Sequence, residues 1–137
     1  MNLYSILLVD DEEEVRKSII KQIDWEAAGF KVVGDAENGE EGLEIIEQLE
    51  PNVVLTDIRM PYMDGLSLTE KIRQRYPSTK VVIFSGYDDF EYAQKAIKLN
   101  VSEYILKPVN VEELTSILKR IKLGLDEEIE EKRNVNS

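Results

Sequence analysis

Five short apolar runs alternate with segments of helical spacing, and this alternation constrains the fold more than any other feature of the chain. The runs are Ile6–Val9, Lys31–Gly34, Val53–Thr56, Val81–Phe84 and Glu103–Leu106. Those at Ile6, Val53 and Val81 are apolar nearly throughout, which suits parallel strands covered on both faces. Between them Val15, Ile19 and Ile23 recur every four residues, as do Leu68, Ile72 and Tyr76. Leu114, Ile117, Leu118, Ile121 and Leu125 mark a last helix with one apolar stripe. Asn38-Gly39, Pro51-Asn52, Asp64-Gly65 and Pro77-Ser78 punctuate the joins. Five strand-then-helix units with right-handed crossovers give an open α/β sheet with helices on both faces.

A chain of 137 residues holds one domain of this kind and is too short for two. No internal repeat is evident. Beyond Lys122 the sequence turns polar and reads as a helix extension fading into a linker or tail. There is neither cysteine nor histidine, so disulfides, thiolate or imidazole metal sites, and histidine general bases are all excluded. The net charge of −11 argues against nucleic acid or anionic membrane as a direct partner. No apolar stretch reaches membrane-spanning length and the start lacks a signal-peptide pattern, so a cytoplasmic protein is expected.

In open α/β sheets ligands bind beyond the carboxyl ends of the strands. Asp10 and Asp11 follow the first run, Asp35 and Glu37 the second, Asp57 the third, Ser85 and Gly86 the fourth, and Lys107 and Pro108 the fifth. Each has an ordinary explanation by itself: acids favour helix starts, Asp caps turns, Ser caps helices, and a lysine is commonly solvated. Tyr104 is ordinarily a packing residue. Taken together, crowded carboxylates need a positive partner, and oxygen-only ligands suit a hard cation such as Mg²⁺. A lysine and a hydroxyl beside them equip a site for a transferring phosphoryl group, with Asp57 as its nucleophile.

The segments "ILLVDDEE", "VVLTDIRMPYMDG", "VVIFSG" and "YILKP", in this order and spacing, resemble the receiver domain of two-component response regulators over roughly residues 3–123. The resemblance implies a flavodoxin-like (βα)5 fold, doubly wound, with a five-stranded parallel sheet in the order 2-1-3-4-5. It implies that Asp57 is the phosphoacceptor, served by Lys107 and Ser85. Mg²⁺ would be held by Asp10, Asp11, Asp57 and the backbone carbonyl of Arg59, with Asp10 acting mostly through water. Ser85 and Tyr104 match the switch residues, and Lys107–Pro108 matches a bond that is usually cis. Arg59 and Tyr87 stand where the family varies and where dephosphorylation rate is influenced.

Two further stretches, "IDWEAAGFKVVGDAENGEEGL" and "SGYDDFEYAQKAIKLNVSEYILKP", resemble receivers that precede an arabinose-regulator (AraC) type helix-turn-helix output domain. Trp25 and Phe90 within them read as core packing. The implied organisation is a receiver over residues 1–123 and a polar helix extension, linker or tail over 124–137. The implied function is a phosphorylatable switch rather than an enzyme. A sensor histidine kinase is the donor, and the face of the fourth helix, fifth strand and fifth helix is the responding surface. A phosphorylation-dependent homodimer is a further expected partner, and DNA is expected only through an output domain that is missing here. A haloacid-dehalogenase-type phosphohydrolase is the main rival, but it calls for an Asp where Arg59 stands and for a large cap region. A receiver-like module that is never phosphorylated is a second rival, although such modules usually lose an acid or the lysine. No Gly-Lys-Ser/Thr loop supports a nucleoside triphosphatase.

Overall fold

The computed structural model describes residues 2–86 and 90–136, without the side chains of Phe90, Val135 and Asn136. The positions read above for Tyr87 and for the Phe90 side chain lie outside the described residues. We number only helices longer than one turn. The order is β1 (Tyr4–Val9), α1 (Glu13–Gln22), a single helical turn (Trp25–Ala28), β2 (Phe30–Ala36) and α2 (Gly39–Leu49). There follow β3 (Val53–Asp57), α3 (Gly65–Arg75), β4 (Lys80–Ser85), α4 (Phe90–Lys98), β5 (Glu103–Leu106) and α5 (Val111–Asn136).

The strands form one parallel sheet in the order β2-β1-β3-β4-β5. Alternation along each strand divides its side chains between two cores. Ile6, Leu8, Val53, Leu55, Val82, Phe84 and Ile105 face α1, the Trp25 turn and α5. Leu7, Val9, Val54, Val81 and Ile83 face α2, α3 and α4. This doubly wound, flavodoxin-like arrangement is the one expected, and β3 at its centre is buried along its whole length.

All five apolar runs lie inside observed strands, and the first four strands are longer than their runs. The extra residues include Ser5, Asp35, Lys80 and Ser85, which stay in the ladder although their side chains carry no apolar signal. Ile23 and Tyr76, read as the last residues of helical stripes, are instead C-caps of α1 and α3 with non-helical backbone. Their N–H groups still close the last turns onto Ile19 and Ile72. Side chains of Asn38, Asp64 and Asn110 accept from backbone N–H groups at the starts of α2, α3 and α5.

The helix extension expected beyond Lys122 is present, and α5 runs unbroken for 26 residues, about 39 Å at the α-helical rise. Leu114, Ile117, Leu118, Ile121 and Leu125 bury its stripe. Among the described residues no helix is long and apolar enough to cross a membrane.

Candidate functional site

Parallel strands end together, so β1, β3, β4 and β5 deliver four of the expected residues to one edge. Asp10 follows β1 and is fully buried, Asp57 ends β3 and Ser85 ends β4, both nearly so. Lys107 follows β5 and reaches across the edge. Its Nζ donates to Asp10 Oδ2 at 3.0 Å and to Asp57 Oδ2 at 3.1 Å, and lies 5.1 Å from the centre of the Phe84 ring. The Lys107 backbone N–H donates to the Ser85 carbonyl at 2.7 Å, tying the two strand ends together. The Lys107–Pro108 peptide bond is cis.

The carboxylates are also held from behind. The N–H of Ile58 donates to Asp57 Oδ1 at 2.8 Å, and that of Glu12 to Asp10 Oδ1 at 2.8 Å. Arg16 donates to the Asp10 carbonyl and pairs with Asp35 at 2.9 Å, which takes Asp35 away from the cluster. Gly65 fits against the back of the phosphoacceptor candidate. Its N–H donates to the Ile58 carbonyl at 2.8 Å, and a Cβ there would lie 1.9 Å from the Asp57 carbonyl oxygen. Only glycine permits that approach.

Glu12 behaves differently from its sequence reading. Together with Glu13 and Glu14 it suits a helix start, but α1 begins at Glu13 and the Glu12 side chain makes no cap bond. Its carboxylate gathers instead with those of Asp10 and Asp11, with ligand oxygens all within 4.8 Å of one another. A signal was present, since Glu is a poor N-cap and the acidic run therefore needed another use.

An open cleft of about 420 Å³ lies over this edge, lined by Asp11, Glu12, Asp57, Arg59, Gly86 and Lys107. Four carboxylates (Asp10, Asp11, Glu12, Asp57) face a single ammonium there. Burial, then the charge of Asp10, push the Asp57 carboxyl above its ordinary value, with Lys107 opposing. Burial and Asp10 likewise raise Asp11. For Lys107 burial disfavours charge, but its hydrogen bond to Asp10 and the charges of Asp57 and Asp10 prevail and raise its pKa. This excess of hard, anionic oxygen fits a divalent cation of the Mg²⁺ type.

Arg59 lines the cleft, and its guanidinium carbon lies 5.3 Å from the Tyr92 ring centre on α4. Tyr104 is half-buried on β5, against the core shared with α2, α3 and α4. Its hydroxyl is buried and has no hydrogen-bond partner among the described residues. Trp25 lies in the opposite core and donates its indole N–H to the Ile20 carbonyl at 2.9 Å.

Comparison with known proteins points the same way. Residues 6–119 match the family described as the response regulator receiver domain. The "Uncharacterized transcriptional regulatory protein YesN" of Bacillus subtilis is 41% identical over 119 residues, covering 87% of this chain and 32% of that protein. The receiver domain of AraT, a response regulator from Geobacillus stearothermophilus, is 38% identical with a TM-score of 0.87, covering 92% of this chain and 98% of that one. A two-component transcriptional regulator AraC from Clostridium phytofermentans is 40% identical with a TM-score of 0.79, covering 85% and 91%. The chain spans about a third to a half of the length of full relatives, 32% of YesN and 46% of the HptR regulator of Staphylococcus aureus. With a family match across most of its length and the family's parallel sheet beneath its acidic cleft, the chain belongs to the response regulator receiver domains, the phosphoacceptor signalling switches of two-component systems.

Proposed function

We propose that Asp57 is the phosphoacceptor and that a sensor histidine kinase supplies the phosphoryl group. The observation that carries this reading is the Lys107 ammonium, set between Asp10 and Asp57 at the mouth of a cleft at the strand ends. A carboxylate oxygen of Asp57 attacks phosphorus, a P–O bond forms, and the P–N bond of the donor phosphohistidine breaks. The ring nitrogen leaves with the electron pair and takes up a proton. Lys107, already ionised and in place, transfers its contact from the carboxylate to a phosphoryl oxygen.

Asp10, Asp11, Asp57 and the Arg59 backbone carbonyl would hold Mg²⁺, with Glu12 alongside. The ion supplies positive charge to the phosphoryl oxygens. Ser85 turns its hydroxyl to the phosphoryl group and Tyr104 shifts with it, favouring one of two arrangements of the α4-β5-α5 face. That face then controls dimerisation or an output. The relatives are described as transcriptional regulators, and the output proposed is transcription through a DNA-binding domain outside residues 1–137. Residues 1–123 act as the receiver and 124–137 as its helical extension.

Intact-mass measurement after incubation with Mg²⁺ and a small acyl phosphate tests the site. One phosphoryl adduct is expected, not formed when a chelator is present from the start and absent from Asp57→Asn. An adduct that persists in Asp57→Asn overturns the assignment. Size-exclusion mass with and without the adduct tests the dimer.

A further inference from the structure

The edge of the sheet opposite the cleft carries a second constellation that the signalling chemistry does not use. The Tyr4 hydroxyl, at the start of β1, donates to Asp126 Oδ1 at 2.5 Å. Lys122 reaches Asp126 Oδ2 at 2.8 Å. The Lys122 stem lies over Gly29, whose φ of +96° and missing side chain leave room for it. A Cβ at Gly29 would meet Lys122 Cδ at 2.3 Å. Lys80, at the start of β4, pairs with Glu128. Two strand starts thus hold α5 within a single turn, at Asp126 and Glu128.

The last turns of α5 need such a grip. Residues 126–131 carry five acids (Asp126, Glu127, Glu128, Glu130, Glu131) and so add little apolar surface to hold this part of the helix. Glu127 and Glu131 set like charges four residues apart. Among the described side chains Ile129 prolongs the apolar stripe beyond Leu125, and it is 43% exposed. A helix polar all round, without such anchorage, is not stable by itself.

We infer that Tyr4 and Lys80 clamp α5 to the far edge of the sheet, making residues 126–136 the rigid arm of a lever whose fulcrum is the Asp126 turn. The arm from Val111 to the fulcrum is about 22 Å and the arm from the fulcrum to Asn136 about 15 Å at the helical rise. A tilt imposed near Val111, beside β5, is delivered at the far end as rigid-body motion instead of being lost in fraying. The word lever rests on the proposed signalling role; the clamp does not.

The absence of cysteine lets spin labels be placed without background. With labels at Gln48→Cys on α2 and Lys132→Cys on α5, pulsed electron resonance is expected to give one narrow distance distribution. Tyr4→Phe combined with Lys80→Gln is expected to widen it at least twofold, with Trp25 emission unchanged. A parent distribution as broad as the variant's, or a variant as narrow as the parent, overturns the clamp. Amide exchange of the unmodified chain gives a reading independent of the variant's folding. Residues 127–133 are expected to exchange at least tenfold slower than random coil, and exchange at the random-coil rate overturns the proposal. A chain that keeps its narrow distribution but forms no phosphoryl adduct removes the signalling reading and leaves the clamp standing.

Discussion

The two ends of the sheet are built from the same strands on opposite terms. β1 carries Tyr4 at one end and leads into Asp10 at the other, while β4 carries Lys80 at one end and Ser85 at the other. At the carboxyl edge Asp10, Asp57 and Ser85 are buried, and one lysine faces more carboxylates than it can neutralise. At the amino edge the polar partners are half-exposed and matched, Tyr4 with Asp126 and Lys80 with Glu128. Buried excess charge makes a site reactive and strains the fold that holds it. Exposed pairs contribute little to stability but can still set orientation.

That contrast can be broken by substitution, and Gly65→Ala should have the largest effect. The added Cβ would overlap the Asp57 backbone, so a loss on the order of 3 kcal/mol is expected in denaturant unfolding, at the upper end for overpacking. An unchanged midpoint would mean that the near edge is softer than its packing implies. Gly29→Ala, at the far edge, meets a flexible lysine stem but keeps a left-handed backbone. Its cost should be smaller, about 1–2 kcal/mol, and a loss equal to that of Gly65→Ala would erase the distinction between the edges.

Tyr4→Phe comes next, at about 1 kcal/mol for one hydrogen bond. Burial, then the bond to Asp126 and neighbouring charge, push the Tyr4 hydroxyl up to about 12. A raised pKa means that its contribution is complete below pH 10 and is lost as pH rises through 12. Asp126 is lowered from 3.8 by Lys122 and Tyr4, so its contribution is present above that value and is lost as pH falls through the lowered one. Absorbance titration of the tyrosines should therefore lose a step near pH 12 in Tyr4→Phe. Retention of that step would assign it to another ring.

Asp57→Asn should have the smallest effect and the opposite sign. Asp57 is raised in the folded state, so its ionisation opposes folding as pH climbs above the ordinary carboxylate range. The variant should melt higher than the parent at pH 8, with the gain vanishing toward pH 4. A lower melting temperature at pH 8 would show that Lys107 already compensates the charge.

The near edge was the more legible of the two in the sequence, for a physical reason. Buried strands advertise themselves as apolar runs, and whatever follows each run in a parallel sheet must arrive at the same edge. Asp10, Asp57, Ser85 and Lys107 could therefore be grouped without coordinates. Glu12 escaped because three consecutive glutamates satisfy a helix start as readily as a cation site, and only the backbone at Glu13 separates the two uses. The far edge left no periodic trace. Tyr4 and Asp126 are 122 positions apart, and partners so distant cannot be paired by spacing. The extension of α5 was legible as a polar helix beyond Lys122, but its contacts with Tyr4 and Lys80 were not, for the same reason. The caps at Ile23 and Tyr76 were read as helix because their side chains continue the stripe after the backbone has left it.

The buried hydroxyl of Tyr104 has a consequence of another kind. Phenylalanine would fill the same space without placing an oxygen where, among the described residues, none accepts or donates to it. A buried polar atom in that state costs about 1–3 kcal/mol, so selection for the stability of this one arrangement would favour the plain ring. Tyrosine at 104 therefore suits the proposed switch role, in which its hydroxyl would find a partner in the other arrangement of the α4-β5-α5 face.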